Sequence, residues 1–219
     1  LLEGEDSIIV IDAPDWRAKA AKDQRYLARA GGKIPVLEHK MVECRAMAKI
    51  AREALASCED IRIDLATGTA ECVLVWKEGN VWCRARPDWM SADRKIMVDY
   101  KSTAGSAEPN AWARIQLVPM GFDLQAAHYQ RGNMVLGVPI SSWVFLVQEN
   151  YSPYACSFVS LDPAMQDIAE RKRDYAVQLW GHCLSRNEWH GYPTRIAYAE
   201  PTAWQIADIE HLIELGGQG

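Results

Sequence analysis

Two carboxylates and a lysine stand close together in the stretch Val81–Thr103, VWCRARPDWMSADRKIMVDYKST. Pro87-Asp88 is followed, after ten intervening residues, by Asp99-Tyr100-Lys101. Side chains alternate faces along a strand. With Val81–Asp88 as one strand, Trp82, Arg84, Arg86 and Asp88 share a face. With Lys95–Lys101 as the next, Met97, Asp99 and Lys101 share a face, and Ile96, Val98 and Tyr100 point away. Met90–Arg94 contributes Ser91, Asp93 and Arg94, a polar connection suited to a hairpin. Pairing the two strands would bring Asp88 to Asp99 and Lys101. Two such carboxylates make a hard-oxygen site for Mg²⁺ or Mn²⁺. That ion polarises a phosphoryl oxygen and supplies a hydroxide nucleophile. A neighbouring ammonium orients the hydroxide or stabilises the charge developing on phosphate. The chemistry is metal-dependent hydrolysis of a phosphodiester. Asp-x-Lys alone reads more readily as a solvated hairpin edge; Pro87-Asp88 and the hairpin context raise it to a candidate site.

The elements that must position these groups follow from the surrounding pattern. Glu71–Trp76, ECVLVW, reads as a strand closed by a turn at Lys77–Asn80. Glu71 falls on the face of Val73 and Val75, where a carboxylate needs a partner. Ser141–Gln148 is a near-continuous apolar run, a strand covered on both faces, with Ala155–Ser160 as its hairpin partner. Helices are predicted over Asp15–Ala30 with Asp15 as cap, Glu38–Ala56, Ala111–Leu117, Gly121–Leu136, from Asp162 as N-cap to about Asn187, and Ala199–Leu215. Gln125 and Tyr129, four apart, share one helix face. Strands in the middle with helices on either side predict an α/β fold. Its central mixed sheet is built from the Glu71–Trp76, Val81–Asp88, Lys95–Lys101 and Ser141–Gln148 strands, flanked by helices. Residues 1–219 read as one domain.

Composition bounds the function. The chain is 49% hydrophobic and 24% charged, an ordinary globular balance, and no apolar run reaches membrane-spanning length. Six cysteines without a Cys-x-x-Cys pair argue against a zinc ribbon or clustered iron–sulfur site and for reduced thiols. A net charge of −5 excludes a uniformly basic surface and requires any phosphate contacts to be local. Arg84 and Arg86, on the face of Asp88, are the first candidates for DNA binding. The Arg17–Lys33 helix and Arg171–Arg173 are weaker ones, and the latter also fits a solvated charge run. Trp180, His182 and Trp189 read as structural.

Arg86-Pro87-Asp88, then Val98-Asp99-Tyr100-Lys101-Ser102-Thr103, then Gln125-x-x-x-Tyr129 resemble, in that order, the PD-(D/E)XK nuclease superfamily. More closely, the chain is similar to the RecE-type exodeoxyribonuclease VIII proteins of phages and prophages, which the opening stretch Ile8–Gly32, with Ile11–Arg17, also resembles, and the resemblance extends to about Phe158. The resemblance implies a restriction-endonuclease-like core. It implies a Mg²⁺- or Mn²⁺-dependent exonuclease that resects linear double-stranded DNA 5′→3′ for recombination in the bacterial cytoplasm. A ring-shaped homo-oligomer and a single-strand annealing partner are further implications. Asp88, Asp99 and the Tyr100 backbone carbonyl would be metal ligands, and Lys101 would activate water. Glu71, Gln125 and Tyr129 would lie beside the metal. One element departs from the pattern. Related proteins carry a metal-binding His in a Gly-x-x-x-His setting, which none of His39, His128, His182, His190 and His211 has. Leu1–Gly4 resembles the residues that would follow such a motif, so the expectation is a chain lacking an upstream segment. Two alternatives stand beside the exonuclease: a DNA-binding or structural module without catalysis, and an endonuclease on the same core.

Overall fold

Around Asp88 the chain turns back where the polar residues predict it, but on a shorter arm. The computed structural model describes residues 5–61 and 63–216. Ser91 and Asp93 build the turn. Asp93 Oδ1 accepts from Ser91 Oγ (2.6 Å) and Lys95 N (3.0 Å), and Arg94 takes a left-handed φ of 60°. This fixes the register of β6 (Trp89–Met90) against β7 (Ile96–Thr103): Trp89 faces Val98 and Met90 faces Met97. One step further along that register lies Asp88 opposite Asp99.

β7 is the middle strand of a five-stranded mixed sheet. Its other neighbour is β8 (Ser142–Glu149), parallel to it over the whole length; β9 (Cys156–Val159) follows antiparallel. On the far side β3 (Thr69–Ala70) pairs with β6, giving the order β3-β6-β7-β8-β9. The sheet is mixed and flanked by helices, as expected, but two predicted members lie outside it. β4 (Leu74–Glu78) and β5 (Val81–Ala85) pair only with each other, across a turn where Gly79 takes φ 57°. Two local features explain the correction. Pro87 has no N–H to extend a ladder from β5 towards Asp88. Glu71, at φ 54°, ends β3 just before the predicted Glu71–Trp76 strand, so that β4 begins only at Leu74.

The faces of β7 divide as the alternation predicts. Met97 joins Trp112, Trp143, Phe145 and Val147 in one apolar cluster; Val98, with Ile96 and Tyr100 beside it, joins Ala51, Leu55, Trp89 and Leu146 in the other. β8 is covered on both sides, with Phe145, Leu146 and Val147 fully buried. Each such side chain contributes about 1.5–3 kcal/mol through burial. α2 (Glu38–Ala56) supplies Ala51 and Leu55 and spans the predicted residues. α1 (Lys19–Ala30) links β1 (Ile8–Ile11) to its parallel partner β2 (Ile34–Leu37). Asp15 does not cap α1. Its carboxylate accepts from Arg17 N at 2.7 Å, closing a turn before the helix begins.

α3 (Pro109–Trp112), capped by Glu108, runs into a π-helical turn at Ala113–Leu117. α4 (Phe122–Val135) then packs on the β4–β5 hairpin so closely that a Cβ on Gly132 would lie 2.5 Å from the Trp76 ring. α5 (Pro163–Arg186) starts where Asp162 Oδ1 accepts from Met165 N at 2.7 Å. Of the charge run on α5, Arg171 and Lys172 are exposed as a solvated run would be, and Arg173 is not. Arg173 is 2% exposed and ion-paired with Glu78 at the end of β4, Lys172 reaches Asp123 of α4 at 2.5 Å, and Arg171 pairs with Asp167. The Lys172 and Arg173 contacts pin α4, α5 and the hairpin together, while Arg171 stays exposed on the surface of α5.

The chain divides into two compact units after Arg186. Within the second, an extended segment precedes α6 (Ala203–Gly216), whose apolar side chains Trp204, Ile209, Leu212 and Ile213 are all exposed. Among the described residues no helix is long and apolar enough to cross a membrane. The expectation for Leu1–Gly4 lies outside the described residues.

Candidate active site

Asp99 is 2% exposed at the centre of β7, on the face that looks towards α4. Its Oδ2 accepts from Gln125 Nε2 at 2.7 Å, and Oδ1 makes an ion pair with Lys101 Nζ. Lys101, two residues on and therefore on the same face, donates to Gln125 Oε1 at 2.9 Å. The chemistry of the neighbours fixes the amide: its NH₂ must face the carboxylate and its carbonyl the ammonium. Gln125 thus clamps both groups from the second turn of α4. The Lys101 ammonium also lies over the Phe122 ring, 4.5 Å from its centroid, and 5.8 Å from that of Phe145. Aromatic faces attract a cation and exclude water from it.

Asp88 comes to this cluster from the end of the β5–β6 connection. Its Oδ2 accepts from Tyr100 N at 2.7 Å, which holds the carboxylate against the β7 backbone between Asp99 and Lys101. Burial raises the carboxyl pKa of Asp99 above its ordinary value. Lys101 and the Gln125 hydrogen bond oppose that rise, while the like charge of Asp88 adds to it. Tyr100 turns its side chain to the opposite face. Burial pushes its phenol to about 12, and the hydroxyl donates to Gln148 Oε1 at 2.7 Å. Gln148 is itself held by the Met47 and Tyr154 carbonyls.

Four of the predicted side chains, Asp88, Asp99, Lys101 and Gln125, therefore converge. Glu71 does not join them. Its N–H donates to the Asp88 carbonyl at 3.0 Å, but its carboxylate points to Arg86, Oε2 to Nε 2.8 Å. Val73 and Val75, expected on a buried face with Glu71, are exposed. Tyr129 sits one turn beyond Gln125, edge-on to Trp143 with centroids 5.7 Å apart. It lines a depression with Val73, Arg84 and Arg86 and takes no part in the cluster's hydrogen bonds. Arg84 and Arg86 are exposed on the outer side of the hairpin; Arg86 is engaged by Glu71.

Sequence reasoning missed the aromatic floor under Lys101, because Phe122 and Phe145 are far apart in the chain and look like ordinary core residues. It also missed Asp123, fully buried in the first turn of α4 and paired with Lys172. An acidic residue in a helix first turn normally reads as exposed and favourable to the dipole.

The model of the PDDEXK-like domain of unknown function (DUF3799) matches residues 23–200, more than half of the chain. The chain belongs to this family. The fold of this DUF3799 domain has a solved counterpart. A candidate exonuclease from Eubacterium rectale superposes with a TM-score of 0.52 at 11% identity, over 87% of this chain and 74% of that one. The protein SSO0001 aligns with a TM-score of 0.36, also at 11% identity, over 80% of this chain and 78% of its own. No curated protein matches in sequence.

The donor set of the DUF3799 site fits a hard divalent cation. Asp88 and Asp99 offer carboxylate oxygens alone, and burial beside a second carboxylate disfavours the Asp99 anion, which a cation would relieve. Among the described residues, no group of three or more His, Cys, Asp and Glu side chains gathers to hold a metal.

Proposed function

We propose that this protein is a divalent-metal-dependent deoxyribonuclease that degrades linear double-stranded DNA from its ends. The observation that carries the reading is the Asp99–Lys101–Gln125 network with Asp88 held beside it on the β7 backbone. Asp88 and Asp99 would hold Mg²⁺ or Mn²⁺, with the Tyr100 carbonyl as a further ligand. The bound ion supplies Lewis-acid polarisation of a phosphoryl oxygen.

The chain's own residues do the remainder. Gln125 keeps Asp99 and Lys101 in one geometry. Lys101, bound as a cation over Phe122, has an N–H left to orient the attacking water or meet the charge on phosphate. Phe122 and Phe145 lower the local dielectric and strengthen that interaction. Arg84 and Arg86 bind backbone phosphates, and Tyr129 borders the same depression. The RecE-like sequence pattern extends the proposal to 5′→3′ resection for phage-type recombination in the bacterial cytoplasm, as a homo-oligomer working with a single-strand annealing protein.

One observation favours a second reading. Among the described residues, only two carboxylates meet at the site. A DNA-binding module on this fold, without catalysis, needs no more. Incubation with linear duplex, nicked circle and closed circle in Mg²⁺, Mn²⁺ or EDTA separates the readings. Loss of the linear form alone, dependent on metal, supports the exonuclease. Cutting of the closed circle supports an endonuclease, and binding without cleavage supports the module.

A further inference from the structure

A second feature adjoins the catalytic cluster. A cleft of about 430 Å³ opens between β5, α4 and α5, and Gln125 forms part of its wall. Its other principal residues are Trp82, Leu124, His128, Tyr129 and Trp180. Trp82 is 70% exposed and Trp180 is 54% exposed, large aromatic surfaces of a kind that folding normally covers. The cleft has no free charge. Its one arginine, Arg173, is engaged by Glu78 and Asp174, and His128 hydrogen-bonds with the Arg84 carbonyl at 3.3 Å. Burial holds the His128 imidazole below its ordinary pKa, so the ring is neutral at pH 7.

The rim differs in character. Lys77, cross-strand from Trp82, places its ammonium 5.6 Å from the indole centroid, and Arg84 stands next along the exposed face of β5. The depression that holds Arg84 and Arg86 shares Tyr129 with the cleft, so cations and aromatic floor are continuous.

A neutral aromatic trough edged by cations complements a chain whose bases are apolar-faced and whose phosphates are charged. A duplex keeps its bases stacked inside and offers such a trough nothing. We infer that Trp82 and Trp180 form a stacking subsite for unpaired bases of single-stranded DNA, with Lys77 and Arg84 on its phosphates. The inference rests on the nuclease reading for its meaning: a strand held there lies beside Gln125 and leads to Asp88 and Asp99.

The test is binding in EDTA, where no metal-dependent cleavage occurs, read by the fluorescence anisotropy of a dye-labelled single-stranded oligodeoxynucleotide and of a blunt duplex. Trp82→Ala is expected to weaken single-strand binding roughly 5- to 150-fold, the loss of one base–aromatic stack. Trp180→Ala should show a similar loss, and Trp82→Phe should retain most of the affinity. Blunt-duplex binding should hold for all three. Circular dichroism confirms that the variants fold, which the exposure of Trp82 favours. The inference is overturned if the folded wild-type chain does not bind the single strand, if Trp82→Ala binds it as wild type does, or if the loss is equal on the duplex. A change in self-association by sedimentation, with single-strand affinity intact, also overturns it and marks the trough as a protein contact. A wild-type chain that binds single strands through Trp82 yet cleaves nothing with Mg²⁺ sinks the nuclease reading and leaves the subsite standing.

Discussion

Replacing Lys101 with methionine removes one charge and little volume, so it isolates what the ammonium does. Lys101 is only 16% exposed at its side chain and its partner Asp99 3%. Without the ammonium, Asp99 is left as a buried carboxylate beside Asp88, with Gln125 its one remaining donor. Breaking a buried pair in this way costs about 3–5 kcal/mol. Gln125 then has an unpaired carbonyl, which adds to the loss. Denaturant unfolding in EDTA measures this directly. The double variant Asp99→Asn, Lys101→Met should regain most of the stability, because neither charge is then stranded. Both single variants should lose cleavage, and Lys101→Met should lower turnover roughly 10²–10³-fold with DNA affinity little changed. A Lys101→Met protein as stable as the wild type, with turnover within a few-fold, would refute the buried-pair account. Parallel loss of affinity and turnover would make Lys101 a phosphate anchor instead.

Further consequences can be checked alongside. Lys172→Ala strands Asp123, a fully buried carboxylate, and should destabilise the fold by about 3–5 kcal/mol; Asp123→Asn should cost less, since it leaves Lys172 partly solvated, and equilibrium unfolding ranks the two. Gly132→Ala forces a Cβ into the Trp76 ring and should cost about 1–3 kcal/mol in the same assay. Arg84→Ala should weaken duplex binding uniformly across sequences and reduce the slope of log affinity against log salt by about one phosphate's worth. His128 has a folded pKa below its ordinary 6.5, so the unfolded chain takes up the proton first. Its contribution is full above pH 6.5 and lost as pH falls below it. The wild type should therefore lose more melting temperature on acidification than His128→Gln.

Local chemistry was the legible part of this fold. Ser91 and Asp93 announce the turn that sets Asp88 opposite Asp99, and period-two alternation separates Met97 from Val98 and Tyr100 correctly. Gln125 was singled out through the resemblance of Gln125-x-x-x-Tyr129, placed after Asp99-x-Lys101, to a nuclease helix, and of that pair only Gln125 enters the network. What escaped depends on the third dimension. Nothing in ECVLVW signals that Glu71 adopts φ 54°, nor that the hairpin of β4 and β5 leaves the main sheet to pack under α4. That departure turns Glu71 towards Arg86 and away from the two aspartates. Arg171–Arg173 looked solvated because charge runs usually are; the partner that buries Arg173 is Glu78, on a strand distant in sequence. Trp180 read as structural and proves half exposed in the aromatic cleft.

The central claim is that Asp88 and Asp99 together hold a divalent ion. Calorimetric titration of Mn²⁺ into the wild type, Asp88→Asn and Asp99→Asn tests it without dependence on turnover. The account predicts saturable binding to the wild type and its loss, or a large weakening, in each variant while the fold persists. Mn²⁺ binding of equal strength in wild type and Asp99→Asn would contradict it.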